Sequence, residues 1–363
     1  SLSLAQEAKE STAVFNLGEV VISSTRSEIP VYDAPQSVTV LDGEEIMASP
    51  FETVEDIVKS VPGIHNFRHN NLNTNGIVSP LIMRGTGSNR VLILVDGVPQ
   101  NDNFNNSIAW VGWGHIPKDM IERIEIVRGP TSSLYGSEGM GGIIHIITKR
   151  PETESRTTLR TVLGNADAFG GSLFHGHKSN RLAFQMTAGR DETDGFYMTD
   201  APAGYNTKRY KEMDRAMVKM NYDLAPGSEL SFSAMYYNHD AGQGRAFFHN
   251  DLQLNQYWLN YSRENDRFGF KGLLYLNKAD KTAYQDSAGD NYTSLNREEK
   301  FKGTDMWGFD LQGTDLDWGH GRFTFGLGYK EAEFNYDVDY MGSSRDAGAR
   351  GRQQFVSPFA NFD

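Results

Sequence analysis

Arg84 and Arg128 each close an apolar run and precede a glycine, in Ile82-Met83-Arg84-Gly85 and Ile126-Val127-Arg128-Gly129. A guanidinium at the end of a buried strand needs a carboxylate or a set of acceptors; the alternative is an arginine in solvent. Asp96-Gly97 follows the apolar run Val91 to Val95 and reads as a hairpin turn rather than a ligand. The glycines between 136 and 142 allow tight turns and close backbone approach. A phosphate-cradling loop would need Gly-Lys-Ser/Thr, which does not follow them. The stretch 63–79 carries His65, Arg68 and Asn70, and the stretch 100–114 carries Asn103, Phe104, Trp110 and Trp113. Ordinary loop solvation and packing is one reading of both stretches. His65 and His69 are four apart but follow Pro62-Gly63, so a helical metal pair has no support. Asp191, Glu192, Asp194 and Asp200 could supply oxygen ligands to calcium, or form a solvated acidic loop. No metal site is assigned among the other residues. No nucleophile–base pair stands out, and the chain has no cysteine, so neither an enzyme nor a disulfide or thiolate framework is expected.

These residues need a scaffold, and residues 19–150 read as a compact α/β unit. Val38 to Leu41 forms a short strand. Asp42 can cap a helix from Gly43, with Glu45 at the capping-box position. Thr53 can cap a second helix that turns Val54, Ile57, Val58 and Val61 to one side and ends at Pro62-Gly63. Leu81 to Met83, Val91 to Val95, Ile121 to Val127 and Ile143 to Thr148 are short strands bounded by Gly, Asn or Pro. Before them lies a polar arm over residues 1–18. Its first five residues are similar to the end of a signal peptide, or else a frayed terminus.

After Pro151 the texture changes. About ten segments of seven to ten residues alternate in polarity. Leu230, Phe232, Ala234 and Tyr236 alternate with serine and methionine. Leu182, Phe184, Met186 and Ala188 do so with Gln185 and Thr187, and Trp307, Phe309 and Leu311 with Asp310 and Gln312. Short connections are expected at 178–180, 223–228, 263–267 and 313–321, and long ones at 190–214, 238–255, 278–304 and 330–352. Short turns at one end and long loops at the other are the pattern of an outer-membrane barrel, whereas a soluble sandwich has no reason to alternate loop length. No run of about 18 apolar residues supplies a membrane helix. The net charge of -12, with no basic cluster, argues against a nucleic-acid partner. Ten strands would close into a cylinder about 20 Å across. The preceding unit is roughly 35 Å wide and would not fit inside. The wall is therefore expected to be incomplete, with about 10 antiparallel strands of a larger membrane β-barrel.

Taken in order, Ile82 to Gly85, Val91 to Pro99, Ile121 to Pro130 and Ser133 to Lys149 resemble the plug domain of TonB-dependent outer-membrane transporters. The resemblance implies a TonB box and α/β plug over 19–150 and the N-terminal part of a transmembrane β-barrel over 151–363. Glu19, Val20, Val21, Ile22 and Ser23 resemble the TonB box; the competing reading makes them the plug's first strand. An extended, β-branched stretch suits pairing with a partner's sheet edge. The resemblance further implies a complete wall of 22 antiparallel strands, of which about 10 lie in this chain, and that Arg84 and Arg128 pair with wall glutamates and lock the plug. It also implies that the stretches 63–79 and 100–114 face outward and help bind the ligand, with Arg68 meeting an anionic group, Phe104, Trp110 and Trp113 packing on apolar parts, and His65, Asn70 and Asn103 adding polar contacts. It implies active import of a scarce nutrient across the outer membrane of a Gram-negative bacterium, powered by TonB and its inner-membrane complex. A ferric siderophore is the first expectation for the ligand, cobalamin or haem the alternative, and no intrinsic cofactor is expected. The partners would be TonB, outer-membrane lipid and an iron chelate or corrinoid. A passive porin or structural barrel is the reading from a different class.

Overall fold

The computed structural model describes residues 20–21, 26, 29–51, 53–66, 81–87, 90–103, 114–131, 135, 139–150, 155–265, 267–318, 321–343 and 346–362. The N-terminal unit holds β1 (Val20–Val21), β2 (Ile29–Pro30), β3 (Ser37–Asp42), α1 (Gly43–Ala48), α2 (Val54–Lys59), β4 (Ile64–Asn66), β5 (Leu81–Met83), β6 (Val91–Val95), β7 (Val98–Pro99), β8 (Ile121–Arg128) and β9 (Gly142–Thr148). Both expected caps form. Asp42 accepts from the backbone N–H groups of Glu44 and Glu45, and Thr53 accepts from that of Asp56. Each satisfies donors that the first helical turn leaves open.

The sheet order is β3-β8-β9-β6-β7, with β6 and β9 parallel and the other pairs antiparallel. Its centre is apolar on both faces. Leu92, Ile93, Val95, Ile124, Ile126, Ile143, Ile144 and Ile146 are all buried, as continuous apolar runs predict for a covered strand. Gly142, with φ +136°, crosses β8 where a Cβ would strike the Val127 carbonyl and the Met83 sulfur. One glycine of the 136–142 cluster is thereby required by close packing.

The remaining chain is one antiparallel sheet of ten strands in sequence order. They are β10 (Arg156–Leu163), β11 (Phe169–Ser179), β12 (Leu182–Thr193), β13 (Lys211–Ala225), β14 (Ser228–Arg245), β15 (Phe248–Glu264), β16 (Phe268–Asp286), β17 (Leu295–Trp318), β18 (Gly321–Tyr340) and β19 (Asp346–Phe362). The sheet is open: β10 and β19 each have a neighbour on one side only. Its two faces differ. Phe232, Tyr257, Leu259, Leu274, Trp307, Leu311, Phe325 and Leu327 point outward and stay exposed. Across the register, Phe232 meets Leu259 and Leu259 meets Leu274, so the outward residues join into a continuous apolar band. Such a band, bordered by Tyr222, Tyr236, Tyr257 and Trp307, is what a lipid-facing wall requires. No helix among the described residues is long and apolar enough to cross a membrane. The inner face packs on the N-terminal unit. Met213, Met217, Met235, Tyr237, Leu254, Trp258 and Met306 share one core cluster with Ile46, Val58, Met83, Ile93 and Ile146.

The expected turns fall where predicted, and the first expected long loop is present over 194–210, but the other three are not. The strands run on past 238, 278 and 330, and the connections there are only 246–247, 287–294 and 341–345. Beyond the band, outward positions such as Asn238, Asp240, Asp251, Gln253 and Asp280 are polar. Alternation in polarity therefore ends there while the ladder hydrogen bonds continue. β17 reaches 24 residues, against the ~10 that cross a bilayer.

A charge inside the band should be costly and one above it should not. Leu259→Arg is expected to destabilise the folded protein by about 2–4 kcal/mol, and Gln253→Arg by less than about 1 kcal/mol. Reversible urea unfolding in lipid vesicles measures both, and equal costs would dismiss the band as the lipid-facing surface.

Candidate functional site

The densest polar contact between plug and wall forms at the β6–β7 turn. Asp96 adopts φ +47° and Gly97 φ +89°, the left-handed pair that the Asp-Gly signal predicts. A Cβ on Gly97 would stand 3.2 Å from Leu273 of β16, so the turn is pressed directly against the wall. The Asp96 carboxylate accepts from the Thr148 N–H at 2.9 Å and the Thr148 hydroxyl at 2.6 Å. The Lys219 ammonium of β13 lies 3.2 Å from it and also donates to the Thr148 carbonyl and hydroxyl. The Asp96 and Lys219 side chains are 8% and 9% exposed. Burial alone would raise the Asp96 pKa; the Lys219 charge and the Thr148 hydrogen bonds outweigh it and hold the group below its ordinary value of 3.8. On the same turn the Gly97 N–H donates to His145 Nε2 at 3.0 Å. Burial lowers the His145 pKa, which keeps that nitrogen free to accept. The turn reading of Asp96 therefore holds, and the same carboxylate is also a bridge to the wall.

Further polar bonds complete the interface. Asn277 of β16 donates to the Pro99 carbonyl at 3.0 Å, and Gln185 of β12 donates to the Lys149 carbonyl. Arg26 fixes the N-terminal segment. Its guanidinium pairs with Asp310 of β17 at 2.6 Å and lies over the rings of Tyr135 and Phe359 at 4.6 and 4.2 Å. Gln312 donates to its carbonyl at 2.9 Å. Sequence reasoning missed Lys219, Asn277, Gln185 and Arg26. For the three wall residues the signal was a polar side chain at an inward position, repeated at many others; Arg26 carried no signal of its own.

Between the plug sheet and wall strands β13 to β19 lies a cavity of about 410 Å³, lined among others by Leu94, Asp96, Thr148, Lys219, Lys271 and Tyr275. Lining residues Glu229, Ser262, Lys271 and Gln312 are shared with a wider recess of about 950 Å³ at the short-turn end of the wall.

The structure distributes the expected site residues unevenly. Arg84, with φ +49°, donates to the Arg128 carbonyl at 3.3 Å. Arg128 donates to the Pro62 carbonyl at 3.2 Å and to Thr39 Oγ1 at 2.7 Å. Among the described residues neither forms an ion pair. Their acceptors among the described residues belong to the plug, and these bonds tie β3, β5, β8 and the α2–β4 turn together. Asn103 contacts the wall: its amide donates to the Asp305 and Glu333 carbonyls at 3.3 and 3.4 Å. His65 sits on β4, exposed, and pairs with Ile82 across the strand. Val20–Val21 forms β1, paired antiparallel with β2. Glu19, Ile22, Ser23, Arg68, Asn70, Phe104, Trp110 and Trp113 lie outside the described residues.

Cation ligands are also redistributed. Asp191 pairs with Arg215, Glu192 with Arg190 at 2.9 Å and Asp194 with Lys208 at 3.5 Å, so three of the four carboxylates considered for calcium already face a cation. Asp240, His249 and Asp251 bring one ligand atom each within 4.8 Å of one another on β14 and β15, where Asp240 also accepts from Tyr210 at 2.8 Å.

Residues 30–143 match the family described as the TonB-dependent receptor plug domain. The chain is 32% identical over 189 residues to the vitamin B12 transporter BtuB of Vibrio vulnificus, covering 52% of this chain and 30% of that protein. It is 32% identical over 218 residues to the iron-regulated outer membrane virulence protein of Vibrio cholerae, covering 56% and 31%. The chain thus spans about a third of the length of these curated relatives. The fold is similar to that of a mutant ferric enterobactin receptor (PfeA) of Pseudomonas aeruginosa solved with enterobactin. The TM-score is 0.66 at 18% identity, over 90% of this chain and 55% of that one. The siderophore receptor PirA from Acinetobacter baumannii gives a TM-score of 0.66 at 14% identity, over 90% and 57%.

Lys219→Met removes the cation and leaves a buried carboxylate, at an expected cost of about 3–5 kcal/mol. Asp96 has a depressed folded value, so its contribution is complete above pH 3.8 and is lost as pH falls through that lower value. Hydrogen exchange of residues 91–99 and 142–148 measures both effects. The turn should lose protection in Lys219→Met at neutral pH and in the parent only under acid, while Asp96→Asn should remove the acid step. Unchanged protection in Lys219→Met would remove the bridge from the interface.

Proposed function

We propose that this chain is a member of the TonB-dependent receptor family and carries the plug and ten wall strands of an energised importer in a Gram-negative outer membrane. The observation that carries this reading is the interface. A folded domain is held against the inner face of a membrane wall by an apolar cluster and by polar bonds that can be exchanged for water. A passive porin has no use for a folded domain in its lumen.

The ligand is a ferric siderophore on this reading. An iron-regulated outer membrane protein among the relatives and receptors for ferric enterobactin among both relatives and structures support it. A corrinoid is the second reading, favoured by the 32% identity to vitamin B12 transporters. The ligand would first meet the apical stretches that carry His65, Arg68, Asn70, Asn103, Phe104, Trp110 and Trp113. The partner is TonB, engaged through Glu19, Val20, Val21, Ile22 and Ser23. For that segment to pair with TonB, the β1–β2 ladder has to open first. Arg26 then stands as the next fixed point on the way to the plug core.

Proline fits neither residue of a strand that must donate ladder hydrogen bonds. Val20→Pro with Val21→Pro should abolish energy-dependent uptake of the ligand and leave its binding to intact cells unchanged. Uptake is followed with and without a protonophore. Uptake that survives both the double substitution and the protonophore would establish passive diffusion. Native mass spectrometry of ligand retained by the purified protein decides between an iron chelate and a corrinoid.

A further inference from the structure

The cavity under the plug sheet has an unbalanced lining. Its three carboxylates each face a cation: Asp96 faces Lys219, Asp310 faces Arg26, and Glu229 faces Arg150 at 2.5 Å. Lys271 of β16 points inward, lines both the cavity and the recess below it, and forms no ion pair or side-chain hydrogen bond among the described residues. Beside this surplus charge stand polar atoms without partners. Asn221 Oδ1 and Ser231 Oγ are buried and unbonded, on side chains 3% and 5% exposed, and both residues line the same cavity. Buried polar atoms left open in a space of about 410 Å³ call for water or a ligand. That volume falls within the range of small-molecule sites. Leu94, Leu273 and Tyr275 give one side of it an apolar surface.

We propose that this cavity is an inner binding station for the anionic group of a small solute, anchored by Lys271, with the Ser231 hydroxyl donating to the anion and Asn221 Oδ1 accepting from a hydroxyl of the solute or from water. It rests on the import reading, because the station lies at the short-turn end of the wall, beneath the Asp96–Gly97 turn. A solute released beside the Asp96–Gly97 turn meets Lys271 next, and the shared lining at Glu229, Ser262, Lys271 and Gln312 leads it into the lower recess. The existing ion pairs need not break for an anion to be held there.

The chain lacks cysteine, so a single thiol can report on the cavity. Ser262 is directly opposite Lys271 in the β15–β16 register, and Ser231 lies deeper. Ser262→Cys, with Ser231→Cys as a second reporter, is placed in the intact protein in detergent. Folding is checked by heat-modified gel mobility. Each variant is then treated with an anionic sulfonatoethyl and a cationic trimethylammonioethyl methanethiosulfonate. The anionic reagent should react about fivefold faster, and Lys271→Gln should erase that preference. The tris(catecholato)iron(III) anion, used as the probe, should slow the labelling unless Lys271 is replaced. Equal rates, a cationic preference, no labelling of either folded variant, or no protection by the probe would each overturn the station. None of these readouts needs TonB or an energy source. Their failure therefore bears on the cavity alone, whereas loss of the import reading appears only in the uptake measurement.

Discussion

Lys219 sits between Val218 and Met220 on β13. Those two neighbours face outward into the apolar band, while Lys219 turns inward to a buried carboxylate 123 residues earlier in the chain. That single step of one residue contains the constraint on the whole wall. A strand alternates its faces with a period of two, so every wall residue belongs either to the lipid side or to the plug side. The outer face needs one property, to be apolar. The inner face needs two, to pack on a folded domain and to bond its polar groups. Met213, Met217, Met235 and Trp258 meet the first need, and Gln185, Lys219, Asn277 and Gln312 meet the second. A slip of one residue in β13 would bury Met220 against Asp96 and push Lys219 into lipid. The register of the wall and the seating of the plug are thus fixed together.

A buried ion pair is a poor source of net stability, because two desolvated charges recover in mutual attraction little more than they lose. What Asp96 and Lys219 supply is position. The turn at Asp96-Gly97 has one site on the wall where its carboxylate is neutralised and its glycine clears Leu273. A purely apolar contact of the same area would tolerate sliding and would expose apolar surface when opened. A polar contact is specific while closed, and on opening it exposes groups that water solvates well. For a domain that must stay seated and yet give way, this combination suits the task better than a larger apolar seal.

The same physics decides what the sequence makes legible. The ten wall strands are readable because outward residues repeat Leu, Phe, Tyr and Trp at every second position. The extensions above the band are not readable. Asn238, Asp240, Gln253 and Asp251 face water on one side of β14 and β15, so the polarity contrast that marks a strand vanishes although the ladder persists. The short plug helices announce themselves through Asp42 and Thr53, whose caps are local. Interface residues lack any such local mark. Asp96 carries a strong turn signal that conceals its second role, and Lys219 looks like any inward polar residue. Arg84 and Arg128 are recognisable as arginines that end apolar strands, yet Arg84 is exposed and Arg128 half-buried, and a guanidinium takes carbonyl partners as readily as carboxylate ones. The sequence around them does not distinguish Thr39 and Pro62 from a distant glutamate.

The order of attachments along the N-terminal segment follows from these contacts. β1 and β2 pair over two residues each, and such a short ladder can open one residue at a time. The segment then reaches Arg26, held by an ion pair, two ring faces and a Gln312 bond to its carbonyl. A pull on Val20–Val21 therefore spends its first displacement on a weak ladder, and stops at a strong point fixed to β17 and β19 of the wall and to Tyr135 of the plug. Much of the load passes into the wall until the Arg26 contacts yield, and the full load then reaches β3 and the sheet whose far edge carries Asp96. Because Arg26, Asp96 and Lys219 line one cavity, yielding at Arg26 enlarges the same space that the Asp96–Gly97 turn closes from above. The two fastenings lie in series along the chain yet border a single void. Release of the first removes one wall of the compartment into which the second would open.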